Sequence, residues 1–546
     1  MRMNKRIVLV IALLFITTVL TSLFVVTASA ATGNTTEFAG GTGTEADPYL
    51  IETKEHLNNV RNDLEAYYKL VADIVFTEAD FAANGDFYND ASGFVPIGTK
   101  DATFCGSFDG NGYSIRNLLI YNSTTTSDAY AGLFAINNGV IKNLGIENGH
   151  ISVYPDSNRY AYCGSIAGKN LGTISDCYST GSVWSRRYAG GIAGYNSGTI
   201  TNCYNNGAIT ASNDFDLSAG GIVGYNGDGT ISNCYNNGQI SSSANVVSTF
   251  MTTYYAFAGG IVGYGYDGTV EKCYNTGDIN ATSNVTITES SDAYASANSG
   301  GIIGSNRSCG IWQCYNIGKI SADTTADGHW YDTAISYAGG IAGSNASGIG
   351  SCYNVGSITT TSSTGHNYPG GIAGNNSGGI SASYNVANAI ENIASSNSGT
   401  IKNCYFHSET LSAGCKLASL FSVLTYQGFN FDSVWQMSDG DYPLPVLRSV
   451  KNYASFEYSP KENTVDFASG KGTEAAPFVI KTITHLDNIR KFPSSYFIIA
   501  NNIIFESENE AFATGWKPFA FKGYLDGKGY KITGIRITVS NTLEYQ

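Results

Sequence analysis

The chain has 546 residues, with 64 Gly, 37 Tyr and only 10 Pro, and Asp, Glu, Lys and Arg together make up 14% of it. That length exceeds one ordinary compact core, an apolar fraction of 42% excludes wholesale disorder, and glycine without a three-residue period excludes collagen. Thirty basic against 44 acidic residues give a net charge of -14 with no offsetting basic patch, so nucleic acid is not an expected partner.

At the N-terminus, Arg2, Lys5 and Arg6 precede an apolar run from Ile7 to Val26 and then Ala28-Ser29-Ala30. This order predicts a signal peptide over residues 1–30 and export of the rest, to the extracellular space or the cell surface; an uncleaved membrane anchor is the alternative. No later apolar run is long enough to span a bilayer, so the mature chain is expected to have no membrane span.

Residues 31–129 read as an N-terminal cap and first coils. They contain FAGGTGTEADPYLI from Phe38, and Leu57, Val60 and Leu64 at helical spacing with Thr53 near the start, which predicts a short helix over the open end of a column. Asp109 in DGNG is a turn former.

Residues 130–410 are repetitive. GGIAGYNSGTITNCYNNGAI, from Gly190 to Ile209, recurs at Gly220, Gly259, Gly300, Gly339 and Gly370, with weaker copies at Gly132 and Gly164 and a partial one at Asn397 to Tyr405. About nine units of about twenty residues, each with short Ile, Val, Ala and Thr runs cut by Asn-Ser-Gly or Asp-Gly, predict an all-β solenoid in which each unit is one coil of a parallel β-helix. Ile192, Ile222, Ile261, Ile302, Ile341 and Ile372 would stack as one inward ladder. Cys177, Cys203, Cys234, Cys273, Cys314 and Cys352 would stack as another, because the same position holds Leu144 in the first copy. Tyr and then usually Asn follow each Cys, and that Asn could bond its amide to the next coil.

These units resemble the GLUG motif of bacterial secreted and surface proteins. The resemblance implies a right-handed parallel β-helix, an extracellular setting and an adhesive or scaffolding role, and it brings no catalytic residue. The motif also occurs upstream of the catalytic domain of metallopeptidases that cleave immunoglobulin A1, but none of His56, His150, His329, His366, His407 and His485 forms the HExxH pattern such an enzyme needs.

Residues 411–450, with Trp435 and Tyr442-Pro443-Leu444-Pro445, are expected to close the other end of the column. Residues 451–546 then read as a partial second module resembling 38–118: FASGKGTEAAPFVI at Phe467 and FKGYLDGKGYKI at Phe521 echo the first opening, with Leu486 and Ile489 on a second cap helix near Thr484.

The chemistry legible in the chain is sparse. Most of the eleven cysteines follow the repeat and read as buried thiols, while Cys105, Cys163, Cys309 and Cys415 lie off the ladder and are better placed for disulfides. Asp228 and Asp267, in equivalent turns of adjacent coils, could meet as a calcium or acid–base pair, against the simpler reading of two exposed turn residues; Asp214 and Asp216 stand alike. No metal site and no cofactor is expected. The connections after Ile240, Ile279 and Ile320 read as long loops on one edge, carrying Phe250, Tyr254, Tyr255, Tyr294, Trp330 and Tyr331, which are the candidate ligand-binding residues. The leading expectation is a non-enzymatic β-helix that binds a glycan or an extracellular protein. The alternatives are a polysaccharide lyase or hydrolase, by fold analogy alone, and the non-catalytic region of a larger secreted peptidase.

Overall fold

The computed structural model describes residues 37–407, most of 420–448 and most of 467–536; within these spans residues 123–127, 155–158, 214–215, 251–252, 290, 330, 388–389, 391, 421–422, 439–443, 471, 475, 494, 506–515, 517–518 and 520 are not described. The signal-peptide segment and Cys415 lie outside the described residues.

Each coil of the column is built from five short strands, as in Tyr188–Gly190, Ala193–Asn196, Thr199–Thr201, Tyr204–Asn205 and Ile209–Asn213. Each strand pairs in parallel with its equivalents in the coils before and after, giving five stacked sheets, numbered here 1 to 5 in that order, of 8, 9, 12, 11 and 8 strands among the described residues. The fold is thus the parallel β-helix expected, with residues of one repeat position in register: Ile200 faces Ile231, and Tyr204 faces Tyr235. Ile192, Ile222, Ile261, Ile302, Ile341 and Ile372 are fully buried in one continuous core that also holds the cysteine ladder.

Sheets 3 and 4 meet at a corner held by one left-handed residue per coil, among them Asn202, Asn233, Lys272, Gln313 and Asn403, with φ between 51° and 54°. Asn accepts that conformation more readily than most residues. Just beyond the corner, Asn205, Asn236, Asn275, Asn316, Asn354 and Asn385 form a buried amide ladder in which each Nδ2 donates to the next Oδ1 at 2.8–2.9 Å. The second glycine of the pair in the repeats that carry one is fixed by this packing, since a Cβ on Gly191 would come within 2.1 Å of the Gly221 carbonyl oxygen and 2.6 Å of the Asn205 carboxamide carbon. The tyrosines beside it stack as well, Tyr178 through Tyr384, with ring centroids 4.8–5.2 Å apart and planes within 8° of parallel.

A second amide ladder, unexpected from the sequence, runs down sheet 2: Asn137, Asn170, Asn196 and Asn226 are linked at 2.8–2.9 Å, and Asn306, Asn345, Asn376 and Asn397 at 2.7–2.8 Å. Gly265 interrupts it, and Cys309 of the next coil fills the place. A Cβ on Gly265 would meet the Cys309 Sγ at 2.7 Å, and that thiol donates to the Asp267 carbonyl at 2.7 Å. Cys309 is therefore a space-filling donor and not half of a disulfide. Cys105 and Cys163 are also free, so that expectation is corrected for every described cysteine. Cys163 is buried and donates to the Ile151 carbonyl, whereas Cys105 is exposed.

The long connections expected after Ile240, Ile279 and Ile320 are not loops. Ile240–Ser248, Ile279–Ile287 and Ile320–Asp327 extend sheet 5 beyond the column, and Thr253–Gly259, Tyr294–Gly300 and Thr333–Gly339 extend sheet 1 beside them. The two layers form a fin with a small core of Val285, Ile287, Ala293, Ala295, Ala326 and Ala334. The alternating burial along Ile279–Ile287 is the period-two signature of a strand with one face packed.

The cap helix at Lys54–Asn59 is capped by Thr53, whose side chain accepts from the His56 N–H, and it buries Leu57 in the column core. The matching helix of the C-terminal module, Ile483–Asn488, is capped by Thr482 and not by Thr484. That module has its own core around Phe467, Phe478, Leu486 and Phe497, and its three-stranded sheet repeats the parallel order of the first coils. Residues 420–448 cover the flank of the tyrosine stack: Trp435 lies 6.1 Å from Tyr353 and 5.9 Å from Tyr384, whose hydroxyl donates to the Pro445 carbonyl at 2.5 Å.

Two stability outcomes follow. Asn236→Ala leaves the Asn205 donor and the Asn275 acceptor without their partners, so chemical denaturation is expected to show a loss of about 3 kcal/mol, at the usual ~1–3 kcal/mol for each buried polar group left unmet. Gly265→Asn alone is expected to destabilise, and Gly265→Asn with Cys309→Gly to recover most of the loss by restoring the amide ladder; a double-mutant cycle that shows simple additivity would contradict this account.

Candidate functional site

Side chains that alternate away from the core in sheets 1 and 2 form two outward rows along one corner of the column. In sheet 1 the register runs Tyr130, Tyr162, Tyr188, Ser218, Phe257 and Asn298; in sheet 2 it runs Lys169, Tyr195, Tyr225, Tyr264 and Ser305. In-register stacking orders the rings. Tyr130, Tyr162 and Tyr188 are parallel at 5.2–5.4 Å, and Tyr195, Tyr225 and Tyr264 at 5.3–5.4 Å.

The sheet 1 row loses one ring at Ser218, which is buried and donates its hydroxyl to the Gly224 carbonyl at 2.7 Å. At this rung a cleft of about 410 Å³ opens, lined by Tyr188, Asp216, Leu217, Tyr225, Tyr255, Phe257, Tyr264, Tyr266 and Arg307. Where rings exist in both rows, a sheet 2 tyrosine abuts the sheet 1 ring of the preceding coil edge-on, as Tyr195 does Tyr162 and Tyr225 does Tyr188. Tyr264 has only Ser218 in that place and tilts instead against Phe257 at 5.3 Å. The cleft is the volume of the missing ring, widened toward solvent.

Polar groups stand at its rim. Arg307 lies 5.0 Å over the Tyr266 ring and has no ion-pair partner among the described residues. Asp216 accepts the Tyr255 N–H at 3.2 Å; burial by the surrounding wall pushes its carboxyl above the usual range, offset in part by that hydrogen bond and by Arg187. Arg187 itself stacks 4.4 Å over Tyr160 and 5.5 Å over Tyr188, which fixes one wall. Asp216 is the one carboxylate among the described residues lining the cleft, whereas paired-carboxylate glycoside hydrolysis uses two.

Of the six residues singled out from sequence, Tyr255 lines the cleft. Tyr254 packs toward the fin core, Tyr294 begins a fin strand half-buried, and Phe250 and Tyr331 are 72% and 76% exposed in the fin turns; Trp330 lies outside the described residues. Among the described residues, the fin sets Phe250 and Tyr331 in its turns, apart from Tyr255 at the cleft. Tyr225 and Tyr264 were missed although the sequence carries a signal for them, the tyrosine in GGIAGYN, GGIVGYN and GGIVGYG of consecutive repeats. Asp228 and Asp267 are exposed turn residues, and among the described residues no three His, Cys, Asp or Glu side chains converge as a metal site. No helix of the described residues is long and apolar enough to cross a membrane.

The ladder cysteines are fully buried in the column core, out of reach of solvent. Cys203 and Cys234 donate to carbonyls two residues back at 3.2 Å, and burial raises the thiols of Cys203, Cys273 and Cys352. Cys404 is pushed up to about 11 by the same cause. A thiol reagent at neutral pH is expected to modify exposed Cys105 in the folded protein and to reach the ladder only after unfolding; rapid labelling of Cys203 or Cys273 in the native state would contradict the packing.

Three segments, residues 185–210, 216–241 and 258–280, match the family model of the GLUG motif; they hold Tyr188, Asp216, Leu217, Tyr225, Tyr264 and Tyr266 of the cleft, whereas Tyr255, Phe257 and Arg307 lie outside them. Over 145 residues the chain is 39% identical to a protein of Evansella cellulosilytica provisionally named a Gly-rich membrane protein, covering 26% of this chain and 15% of that protein. Over 147 residues it is 31% identical to the halomucin of Haloquadratum walsbyi, covering 26% of this chain and 2% of that protein. The chain thus spans less than a sixth of the length of either relative. A crystal structure provisionally described as an immunoglobulin A1 protease from Bacteroides ovatus aligns over 76% of this chain and 96% of its own, at 18% identity and a TM-score of 0.32.

Proposed function

We propose that this GLUG-motif repeat protein is a non-catalytic, surface-type β-helix that binds saccharide through the aromatic cleft on its column. The observation that carries the reading is the cleft itself: six aromatic side chains around a preformed volume, with one carboxylate and one guanidinium at the rim. Aromatic faces stack on the apolar faces of sugar rings, and a few placed polar groups fix orientation. A rigid stacked column holds those rings in place before the ligand arrives, which lowers the ordering cost of binding. A Gly-rich protein named for a membrane and a halomucin are both consistent with an extracellular surface setting, and the signal-peptide pattern of residues 1–30 agrees.

The fin contributes a second, weaker surface. Phe250 and Tyr331, exposed in the fin turns, extend the contact area beyond the cleft for a longer ligand or a protein partner.

Binding of the full chain to an array of microbial and host polysaccharides tests the proposal. Phe257→Ala and Tyr255→Ala are expected each to weaken binding by about tenfold, equivalent to ~1.4 kcal/mol, and Phe250→Ala with Tyr331→Ala by a few-fold. Undiminished binding in the two cleft variants, with the β circular dichroism spectrum intact, would move the site elsewhere on the column.

A further inference from the structure

We infer that the cleft is a slot for one pyranose ring bearing a carboxylate, so that the ligand class is an acidic saccharide; this rests on the saccharide-binding reading above. The first observation is the interrupted row. Tyr188 and Phe257 occupy the same register position two rungs apart, with Ser218 between them. Rungs are ~4.8 Å apart, so the two side chains are separated by about the space that one flat ring and its van der Waals contacts require. The rows on either side show what normally fills such a place: Tyr162 and Tyr188 stack at 5.2 Å without a gap. A ligand ring entering above Ser218 would complete the stack, with a face toward each aromatic wall.

The second observation is charge. Arg307 lines the same cleft, is oriented by stacking on Tyr266, and forms no ion pair among the described residues. A guanidinium held on an aromatic face, with its donors unmatched by a carboxylate, is suited to a bidentate carboxylate from outside. Asp216 spends one oxygen on the Tyr255 N–H, leaving acceptor capacity for a sugar hydroxyl. A neutral sugar would satisfy Asp216 and leave Arg307 without a partner, whereas a ring carrying both hydroxyls and a carboxylate would satisfy both. The chemistry shared by uronic and sialic acids meets this requirement, and the slot by itself does not separate the two.

The test uses the full chain with a panel of uronic- and sialic-acid oligosaccharides, each beside its carboxyl-reduced counterpart, followed by titration calorimetry. At least one acidic probe is expected to bind about tenfold or more tightly than its reduced form. Arg307→Gln is expected to remove that preference while leaving the affinity for the reduced form, and Ser218→Tyr, which restores the row as its neighbours have it, to abolish both. Equal binding of acidic and reduced probes, or a preference that survives Arg307→Gln, would overturn the acidic assignment and leave saccharide binding standing. Binding that persists in a folded Ser218→Tyr variant would overturn the slot. No binding by any member, or binding of an aromatic peptide alone, would overturn both this inference and the function it rests on.

Discussion

Everything in this molecule depends on repetition at one rung spacing. Parallel strands in register place identical residues directly above one another, and side chains that can bond or stack with copies of themselves are selected by that geometry. Asn does so through its carboxamide, which donates to the next rung and accepts from the previous one. The Asn205–Asn385 ladder is consequently buried and fully engaged. A lone buried carboxamide would be costly; in a ladder each one satisfies its neighbours, and the cost returns wherever the ladder is cut. Gly265 shows how a cut is accommodated, with the Cys309 thiol taking both the volume and part of the hydrogen bonding.

The same rule explains the exterior. Outward tyrosines stack along each row because the register sets them directly above one another, they meet the neighbouring row edge-on, and a stacked row presents few free ring faces. The cleft on this surface arises by omission. Ser218 removes one ring from the row and exposes the walls on either side, so the shape of the cleft depends as much on the small residue as on the six aromatic ones. The polar rim is supplied by turns between sheets, Asp216 before one strand and Arg307 after another, which vary from coil to coil without disturbing the ladders.

Additions to the column obey the same physics. The fin is an extension of sheets 1 and 5 over three coils, and its strands need a second hydrophobic strip, supplied by Val285, Ile287 and the small residues opposite. Residues 420–448 cover the end of the tyrosine stack along its flank. Trp435 and Phe429 bury Tyr353 and Tyr384 there, where earlier members of the stack remain half-exposed.

The sequence by itself determined the coil. The spacing of GG, Ile, Cys, Tyr and Asn marks which residues stack and which point inward, because a one-dimensional period maps directly onto a one-dimensional structure. It also marked the cap helix at Thr53 and the echo of the first module near the C-terminus. What only the tertiary structure decided are contacts between positions outside the shared period. Cys309 reaches Gly265 across coils of unequal length, and the three long connections pair as strands because each has a like-sized neighbour, a fact local composition does not carry. The cleft belongs to this second class. Tyr188, Phe257, Tyr264 and Arg307 come from three coils and two sheets, and the missing ring at Ser218 becomes visible only once the register places it between Tyr188 and Phe257.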